Sequence, residues 1–481
     1  MKFFDRESEL SGLERLYDAV SRGQFHFVVV SGRRGVGKTR LIYEFVKRVN
    51  ARFVYFFVEK KEIGSLLLDF VSRLKDSLKL DVVVPRDFDN FLKLLRDLSS
   101  EESIVVIFDE FQNFRHMGGD IFFKFQEFVD FMKFGDGFKL MFIVIGSIVG
   151  MMKDIFEGKH SPLYGRKTSE FFLKPFEYWE VRKLLDEFGV RDEIGKLSIF
   201  SVFGGMPRYY DQMDRIGLSF SIENVINLFT NKVYSLWKAP RDELIEEFKD
   251  AHPAFFSILE AIAKGKVKAN DIANYTSIPE KSIYKYLNEL INYFELIEKR
   301  VPAVAPKNYR GAIYVIRDPF YRFWFRYIFP NQDLIELEEG QELTRMILND
   351  LSNHISFVFE EIVRRTILKL SGKEIKGTKI PHFNKIGSWW DRKGNEIDVV
   401  GYKDKKILLV GEVKWRERLY DSKDLEKMLL KIDFLKAKNP TLVIVSKKGF
   451  TRGVKSFIEG EKRGLVLSLN DLIDIWNSFV K

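Results

Sequence analysis

Two groups of residues in this sequence have types and spacings suited to phosphate chemistry, one near each end of the chain. The first is Gly32-Arg33-Arg34-Gly35-Val36-Gly37-Lys38-Thr39, a G-x-x-x-x-G-K-[ST] pattern between a β-rich run and a helical stretch. Glycines there let successive backbone N–H groups curl round phosphate oxygens, the lysine reaches the β- and γ-phosphates, and the hydroxyl ligates magnesium. Gly32, Arg33, Gly35, Val36, Gly37, Lys38, Thr39 and Arg40 are therefore the expected nucleotide-binding residues, with ATP and Mg2+ as cofactors. The complementary half of such a site is an apolar strand ending in acid, and Ile104 to Phe108 runs into Asp109-Glu110. Asp109 is expected to hold magnesium with Thr39, and Glu110 to orient or deprotonate an attacking water, which favours hydrolysis over transfer to a small substrate. Ser147, after the apolar run Met141 to Gly146, is placed to contact the γ-phosphate or the water; the bland alternative is an ordinary strand-to-loop serine. Arg166 is placed to stabilise charge on a phosphate of the same or a neighbouring chain, against the alternative of a surface salt bridge.

The second group is Asp398, in Glu396-Ile397-Asp398-Val399-Val400, with Glu412-Val413-Lys414. Strand alternation puts Glu412 and Lys414 on one face with Leu408 and Val410. A three-residue turn at Asp404-Lys405-Lys406 would set Asp398 opposite Glu412, so that two carboxylates meet as a magnesium site requires. Between the two groups, Phe255, Ile258, Leu259 and Ile262 open a helical block that continues through a turn at Thr276 to Pro279 into Glu280 to Tyr293. Ile283, Leu287 and Leu290 form its buried stripe and leave Lys281, Ser282 and Lys285 outward, a helix-turn-helix pattern expected to contact DNA. Leu296 to Ile316 reads as a wing, with Lys299, Arg300, Lys307 and Arg310 set to follow a phosphate backbone; the interspersed Glu280, Glu289, Glu295 and Glu298 favour instead a protein contact or a spacer.

The elements that must hold these residues alternate. Phe25 to Ser31, Arg52 to Val58, Ile104 to Phe108 and Met141 to Ile145 are β-rich runs separated by helical stretches, the pattern of a parallel sheet covered on both faces. The expected division is a P-loop domain over 1–175, a helical lid over 176–250, a winged helix over 251–335 and a small α/β domain over 340–481. At 481 residues with 46% apolar side chains, the chain has material for several cores, so wholesale disorder is excluded. The absence of cysteine excludes disulfides, thiolate metal sites and cysteine nucleophiles, and the six histidines are too scattered for a zinc site. The opening residues turn charged before any signal-peptide core, and no apolar run reaches membrane-spanning length; a cytoplasmic protein is expected. A net charge of +9 permits a polyanionic partner without demanding one.

The order of motifs resembles the archaeal ATPases of the AAA+/STAND-like P-loop group that carry a DUF234-type carboxy-terminal domain. The features are Phe4-Asp5-Arg6-Glu7-x-Glu9-Leu10, the phosphate loop, Asp109-Glu110-Phe111-Gln112, Gly146-Ser147, Pro162 to Arg166, Gly204-Gly205-Met206-Pro207-Arg208-Tyr209 and Asp318-Pro319-Phe320-x-x-Phe323-Trp324-Phe325-Arg326. The resemblance implies that Arg6 and Glu7 lie near the adenine and that Pro207 abuts the nucleotide and transmits its state. The carboxy-terminal acids look like a PD-(D/E)XK nuclease core, although no proline precedes Asp398. That likeness implies magnesium on Asp398 and Glu412, Glu360 as an extra acid, and Lys414 positioning or activating the water; Trp389-Trp390 are core aromatics or base-stacking surfaces. The implied fold is α/β, a P-loop NTPase sheet with helical lid, a winged-helix module and a restriction-endonuclease-like domain. The implied function is a magnesium-dependent ATPase whose nucleotide state controls DNA binding and cleavage. The alternative is a STAND-like signalling or scaffold protein that binds nucleotide tightly, turns over slowly and uses an inactive nuclease-like domain as a partner-binding platform; beside nucleotide and DNA, the expected partners are a second copy of the chain (a homo-oligomer) or a partner protein.

Overall fold

The computed structural model describes residues 2–79, 82–118, 120–135, 137–248, 252–306, 309–435, 437–460 and 464–479. The chain divides into two compact units: Met1–Pro175 with Met206–Arg215 and Asn292–Glu295, and Phe176–Gly205 with Ile216–Ile291 and Leu296–Lys481. Helix Pro207–Ile216 thus falls almost wholly with the amino-terminal unit, although the chain up to Gly205 and from Ile216 onward belongs to the other.

The first unit is built on a parallel sheet of five strands, β1 (His26–Ser31), β2 (Arg52–Phe57), β3 (Ile104–Asp109), β4 (Leu140–Gly146) and β5 (Ser169–Phe172), in the order β2-β3-β4-β1-β5. Every residue of β3 and β4 is buried, which explains why they read as unbroken apolar runs: helices cover both sheet faces. β5 escapes the sequence reading because it is a four-residue edge strand with half its residues exposed. Pairing sets Ser31 beside Gly146 and Phe57 beside Asp109, so the loops leaving the carboxyl ends of β1, β3 and β4 share one edge of the sheet. Such an edge is where open α/β sheets bind ligands. A phenylalanine cluster including Phe56, Phe70, Phe91, Phe108, Phe125 and Phe142 fixes one sheet face beneath it.

In the second unit, helices His252–Ala263, Ala269–Thr276 and Glu280–Asn292 are followed by an antiparallel pair, β6 (Ile297–Arg300) and β7 (Ile313–Ile316). Ile283, Leu287 and Leu290 are buried, whereas Lys281, Ser282 and Lys285 are exposed. The wing differs from its sequence reading. Arg300 is held by Glu298 and by Glu361, whose Oε2 lies 2.8 Å from Nη2, and the Ala303 N–H donates to the Ser388 carbonyl at 2.8 Å. Ion pairing therefore removes Arg300 from any phosphate track, and Lys307 lies outside the described residues.

Helix Pro319–Phe323 runs into one π-helical turn, Trp324–Ile328, and then the 30-residue helix Gly340–Lys369. After a small ladder of β8 (Glu374–Ile375) and β9 (Thr378–Lys379) comes a mixed sheet of β10 (Lys385–Trp390), β11 (Glu396–Lys403), β12 (Lys406–Lys414), β13 (Thr441–Ser446) and β14 (Gly464–Ser468), in sequence order. β10 to β12 are antiparallel and β13 and β14 join in parallel. Trp389 packs half-buried against the core of this domain.

The β11–β12 turn corrects the sequence reading. Two residues, Asp404 and Lys405, make it, both at positive φ (49° and 62°), the twist-matched geometry of a tight hairpin. That turn alone would misplace Asp398 by one residue, but a bulge intervenes: Tyr402 faces Ile407 while Gly401 faces Leu409, leaving Leu408 extra on β12. Beyond the bulge Val399 faces Gly411, the register the longer turn would have produced.

Candidate active sites

The first site assembles at the sheet edge of the amino-terminal unit. Gly35 has φ 81°, and a Cβ on it would lie 2.3 Å from Arg208 Cδ, so the glycine is required for the Arg208 side chain to lie across the loop. Arg208 directly follows Pro207 at the start of helix Pro207–Ile216. Lys38 begins helix Lys38–Arg48, is 6% exposed, and its Nζ holds the carbonyls of Gly32 (2.7 Å) and Arg33 (3.1 Å). Val36 is buried in the loop, while Arg40 points to the exposed side of the helix.

Thr39 Oγ1 donates to Asp109 Oδ2 at 2.8 Å, which joins the phosphate loop to the end of β3. Tyr55, on β2, donates its hydroxyl to the same oxygen at 2.6 Å, and the Glu110 N–H donates to Asp109 Oδ1 at 2.8 Å. Burial and the Asp109 charge both push the Tyr55 phenol upward, so it remains a donor. Glu110 sits at φ 56°, a left-handed conformation unusual for a residue with a side chain and one that turns its carboxylate toward β4. There Ser147 Oγ lies 2.7 and 2.9 Å from the two carboxylate oxygens as their donor, and Gln112 Nε2 donates to Glu110 as well. The set is oxygen-only, with one carboxylate and one hydroxyl already in register, and it fits a hard cation such as magnesium.

Lys38, Thr39, Asp109, Glu110 and Ser147 are thus brought together. Arg166 is committed elsewhere: its Nε and Nη2 make a 2.9 Å bidentate pair with Asp130 on helix Ile121–Phe134. Arg6 donates to the Lys174 carbonyl at 2.5 Å and to Glu9 at 3.3 Å, and Glu7 is gripped by both terminal nitrogens of Arg48 at 2.8 and 2.9 Å. Tyr55, Gln112 and Arg208 have no role in the sequence reading. Gln112 and Arg208 stand inside its motifs, but the Tyr55 contact depends on β2 pairing with β3, which no local spacing encodes.

The second site lies in the mixed sheet. β11 carries one extra residue against β10, because Gly387 faces Val400 while Trp389 faces Ile397, and the irregularity falls beside Asp398. Asp398 Oδ2 accepts from the Val413 N–H at 2.8 Å. Lys414 Nζ lies 2.9 Å from Glu412 Oε1 and 3.9 Å from Asp398 Oδ2, so the two carboxylates converge on one ammonium. Glu412, only 5% exposed, also accepts from Tyr420 at 2.6 Å and from Lys431 at 3.1 Å. Burial pushes Asp398 up against the pull of Lys414; at Glu412 burial acts the same way but Lys414, the Tyr420 hydrogen bond and Lys431 outweigh it and hold the group down. Glu360 is raised to about 7 by burial and by Asp398, and its nearest cation is Arg364 at 3.6 Å. Among the described residues no group of three or more acids or histidines is spaced to hold a metal, so Glu360 does not complete a three-carboxylate set with Asp398 and Glu412.

Residues 3–213 match the model of an ATPase domain predominantly from Archaea, and residues 324–428 match a family described as archaeal and bacterial proteins of unknown function, DUF234. An uncharacterized protein of Methanocaldococcus jannaschii is 30% identical over 418 residues, spanning 86% of this chain and 88% of the relative. An uncharacterized ATP-binding protein of Pyrococcus horikoshii is 25% identical over 250 residues, 43% of this chain and 73% of the relative. Among solved structures, a Walker-type ATPase of Pyrococcus abyssi aligns over 67% of this chain and 96% of its own with TM-score 0.51 and 22% identity, a likeness of fold. Among the described residues no helix is long and apolar enough to cross a membrane. With a Walker-type phosphate site on a parallel sheet and a near full-length archaeal relative, the chain belongs to the archaeal P-loop ATPases that join an ATP-binding ATPase domain to a DUF234 domain.

Proposed function

We propose that the amino-terminal unit hydrolyses ATP with magnesium and that the nucleotide state governs a carboxyl-terminal centre that acts on nucleic acid. The observation that carries the first part is the Thr39–Asp109 hydrogen bond, which places a hydroxyl and a carboxylate at one point beside the phosphate loop. Thr39 and Asp109 would hold the cation, whose chemistry is to neutralise charge on the β- and γ-phosphates. Lys38 adds a second positive charge from the loop, Arg208 closes over it, and Glu110 takes a proton from the attacking water. Glu110→Gln should keep ATP bound and slow single-turnover hydrolysis by roughly two orders of magnitude or more, the range for losing a general base. Hydrolysis at the wild-type rate in that variant would remove Glu110 from the mechanism.

The second part rests on the convergence of Asp398 and Glu412 on a single cation. Those two oxygen donors would hold magnesium, and Lys414 would steady the water that attacks a phosphodiester. Asp398→Asn should abolish metal-dependent nicking of DNA or RNA while leaving ATP hydrolysis unchanged. If the wild-type chain with magnesium or manganese, with and without ATP, cuts neither, the cleavage reading fails.

One observation favours slow turnover, as in the scaffold reading. The Ser147 hydroxyl and the Gln112 amide both donate to Glu110, so the carboxylate must exchange one of these donors for the attacking water before it can act as base. A basal rate far below that of the Ser147→Ala variant would support it.

A further inference from the structure

Arg322 stands apart from the other arginines of its neighbourhood. Arg300 is paired with Glu298 and Glu361, Arg326 with Asp350, Arg364 with Glu361, and Arg365 with Glu177. Arg322 has no carboxylate within ion-pair distance among the described residues, and its Nε is buried without an acceptor. Its guanidinium instead lies 3.6 Å from the centre of the Phe357 ring. A buried guanidinium nitrogen left unpaired among arginines that each hold a carboxylate calls for an explanation, and an anionic ligand is one that a guanidinium fork is built to take.

The position of Arg322 says which site it serves. Phe357 and Glu360 are three residues apart on helix Gly340–Lys369 and so share a face, one turn from each other. Glu360 meets Arg364 at 3.6 Å, and the same Arg364 nitrogen donates to the Asp398 carbonyl at 3.0 Å. Arg322 is therefore linked to Asp398 through Phe357, Glu360 and Arg364, in the domain where Lys414 and Lys431 already concentrate positive charge. It also sits in the Asp318-to-Arg326 motif, where Asp318 caps the helix by accepting from the Phe320 N–H at 2.9 Å and fixes the turn from which Arg322 projects.

We propose that Arg322 binds a backbone phosphate of a nucleic-acid strand at the carboxyl-terminal centre, stacked on Phe357 and presenting its fork to a phosphate adjacent to the one at Asp398 and Glu412. The inference rests on the nucleic-acid reading of that centre and adds to it a binding residue from outside the mixed sheet. Phe357 fixes the plane of the guanidinium, so little rotamer freedom is lost when a phosphate docks.

The test is fluorescence anisotropy of a labelled 20-nucleotide DNA, single-stranded and as a duplex, titrated with the full chain in calcium, an oxygen-seeking cation used in place of magnesium. Arg322→Gln should weaken binding roughly tenfold and lower the salt slope by about one, the signature of a lost phosphate contact. Arg322→Lys keeps the charge without the fork and should retain the slope while falling between the two in affinity. Unchanged affinity and slope in Arg322→Gln would overturn the proposal and leave the nuclease reading standing, whereas a wild-type chain that binds neither strand would remove both. If Arg322→Gln does not fold, Arg322→Lys decides, and wild-type affinity in that variant is the overturning result. Competition by inorganic phosphate is measured in the Lys38→Ala background; an Arg322 effect on phosphate but not on DNA identifies a free phosphate as the ligand and refutes the strand contact.

Discussion

At Asp109 a single carboxylate oxygen accepts from Thr39 at 2.8 Å and from Tyr55 at 2.6 Å, while its twin accepts the Glu110 N–H. Three donors fix the carboxylate in one rotamer, and only one of them, Thr39, belongs to the phosphate loop. Tyr55→Phe removes a hydrogen bond to a charged group without opening a cavity, so the fold should persist while the carboxylate loosens. We expect the magnesium concentration for half-maximal hydrolysis to rise several-fold with a smaller effect on ATP affinity; equal shifts in both would mean that Tyr55 merely supports the fold. Lys38→Ala acts differently, because it deletes a cation whose Nζ holds two loop carbonyls. ATP affinity measured by calorimetry should fall by at least tenfold, the cost of a charge-assisted contact to phosphate.

At the scale of elements, helix Gly340–Lys369 buries a histidine. His354 is 1% exposed; its Nε2–H donates to the Ser201 carbonyl at 2.7 Å, and Nδ1 has no partner among the described residues. Burial, with Arg322 nearby, drives its pKa down to about 3, so it is neutral in the folded chain. The unfolded chain takes up that proton near pH 6.5 and the folded chain only near pH 3, so stability is fully present above pH 6.5 and is lost as pH falls toward 3. Between pH 6.5 and 5 this one group should remove about 2 kcal/mol, at about 1.4 kcal/mol per pH unit. Glu361 and Asp350, held down to about 2, begin to lose stability only near the ordinary carboxylate range, whereas Glu360, raised to about 7, gains stability as pH falls through this interval, so the His354 share is read as the difference between wild type and variant. Urea unfolding of the wild type and of His354→Asn at pH 6.5 and 5 checks the assignment: the variant, weaker at both, should lack the extra loss.

Across the whole molecule, charge is not where composition alone would put function. The helix-turn-helix lysines are exposed, but the wing that would accompany them is tied by Arg300 to Glu361 and by Ala303 to Ser388. If DNA is bound through helix Glu280–Asn292, replacing Lys281 and Lys285 by Glu should weaken binding across sequences and flatten its dependence on salt, because each lost phosphate contact releases fewer counterions. Unchanged affinity and slope would assign that helix to a protein contact. Gly205 is confined by a close backbone approach: a Cβ there would lie 1.9 Å from the Phe176 carbonyl oxygen, and the Gly205 carbonyl accepts from the Phe176 N–H at 2.8 Å.

What the sequence determined by itself is whatever depends on neighbours along the chain. The phosphate loop, the all-apolar β3 and β4 with Asp109-Glu110 at the end of one, and the buried stripe of Ile283, Leu287 and Leu290 follow from periodicity and motif spacing, because a strand covered on both faces and a helix with one buried face write themselves into local order. Tertiary structure decided whatever depends on pairing between distant segments. The opposition of Asp398 and Glu412 came out of the sequence through a turn that does not exist, and it survives only because a bulge at Leu408 restores the register that the tighter Asp404-Lys405 turn removes. Tyr55 reaches Asp109 because β2 lies beside β3, Arg208 reaches Gly35 because a helix 170 residues onward folds back over the loop, and Arg166 finds Asp130. Hydrogen bonds and ion pairs are satisfied by whichever partner the packed chain brings within about 3 Å, and that choice is made by the fold as a whole.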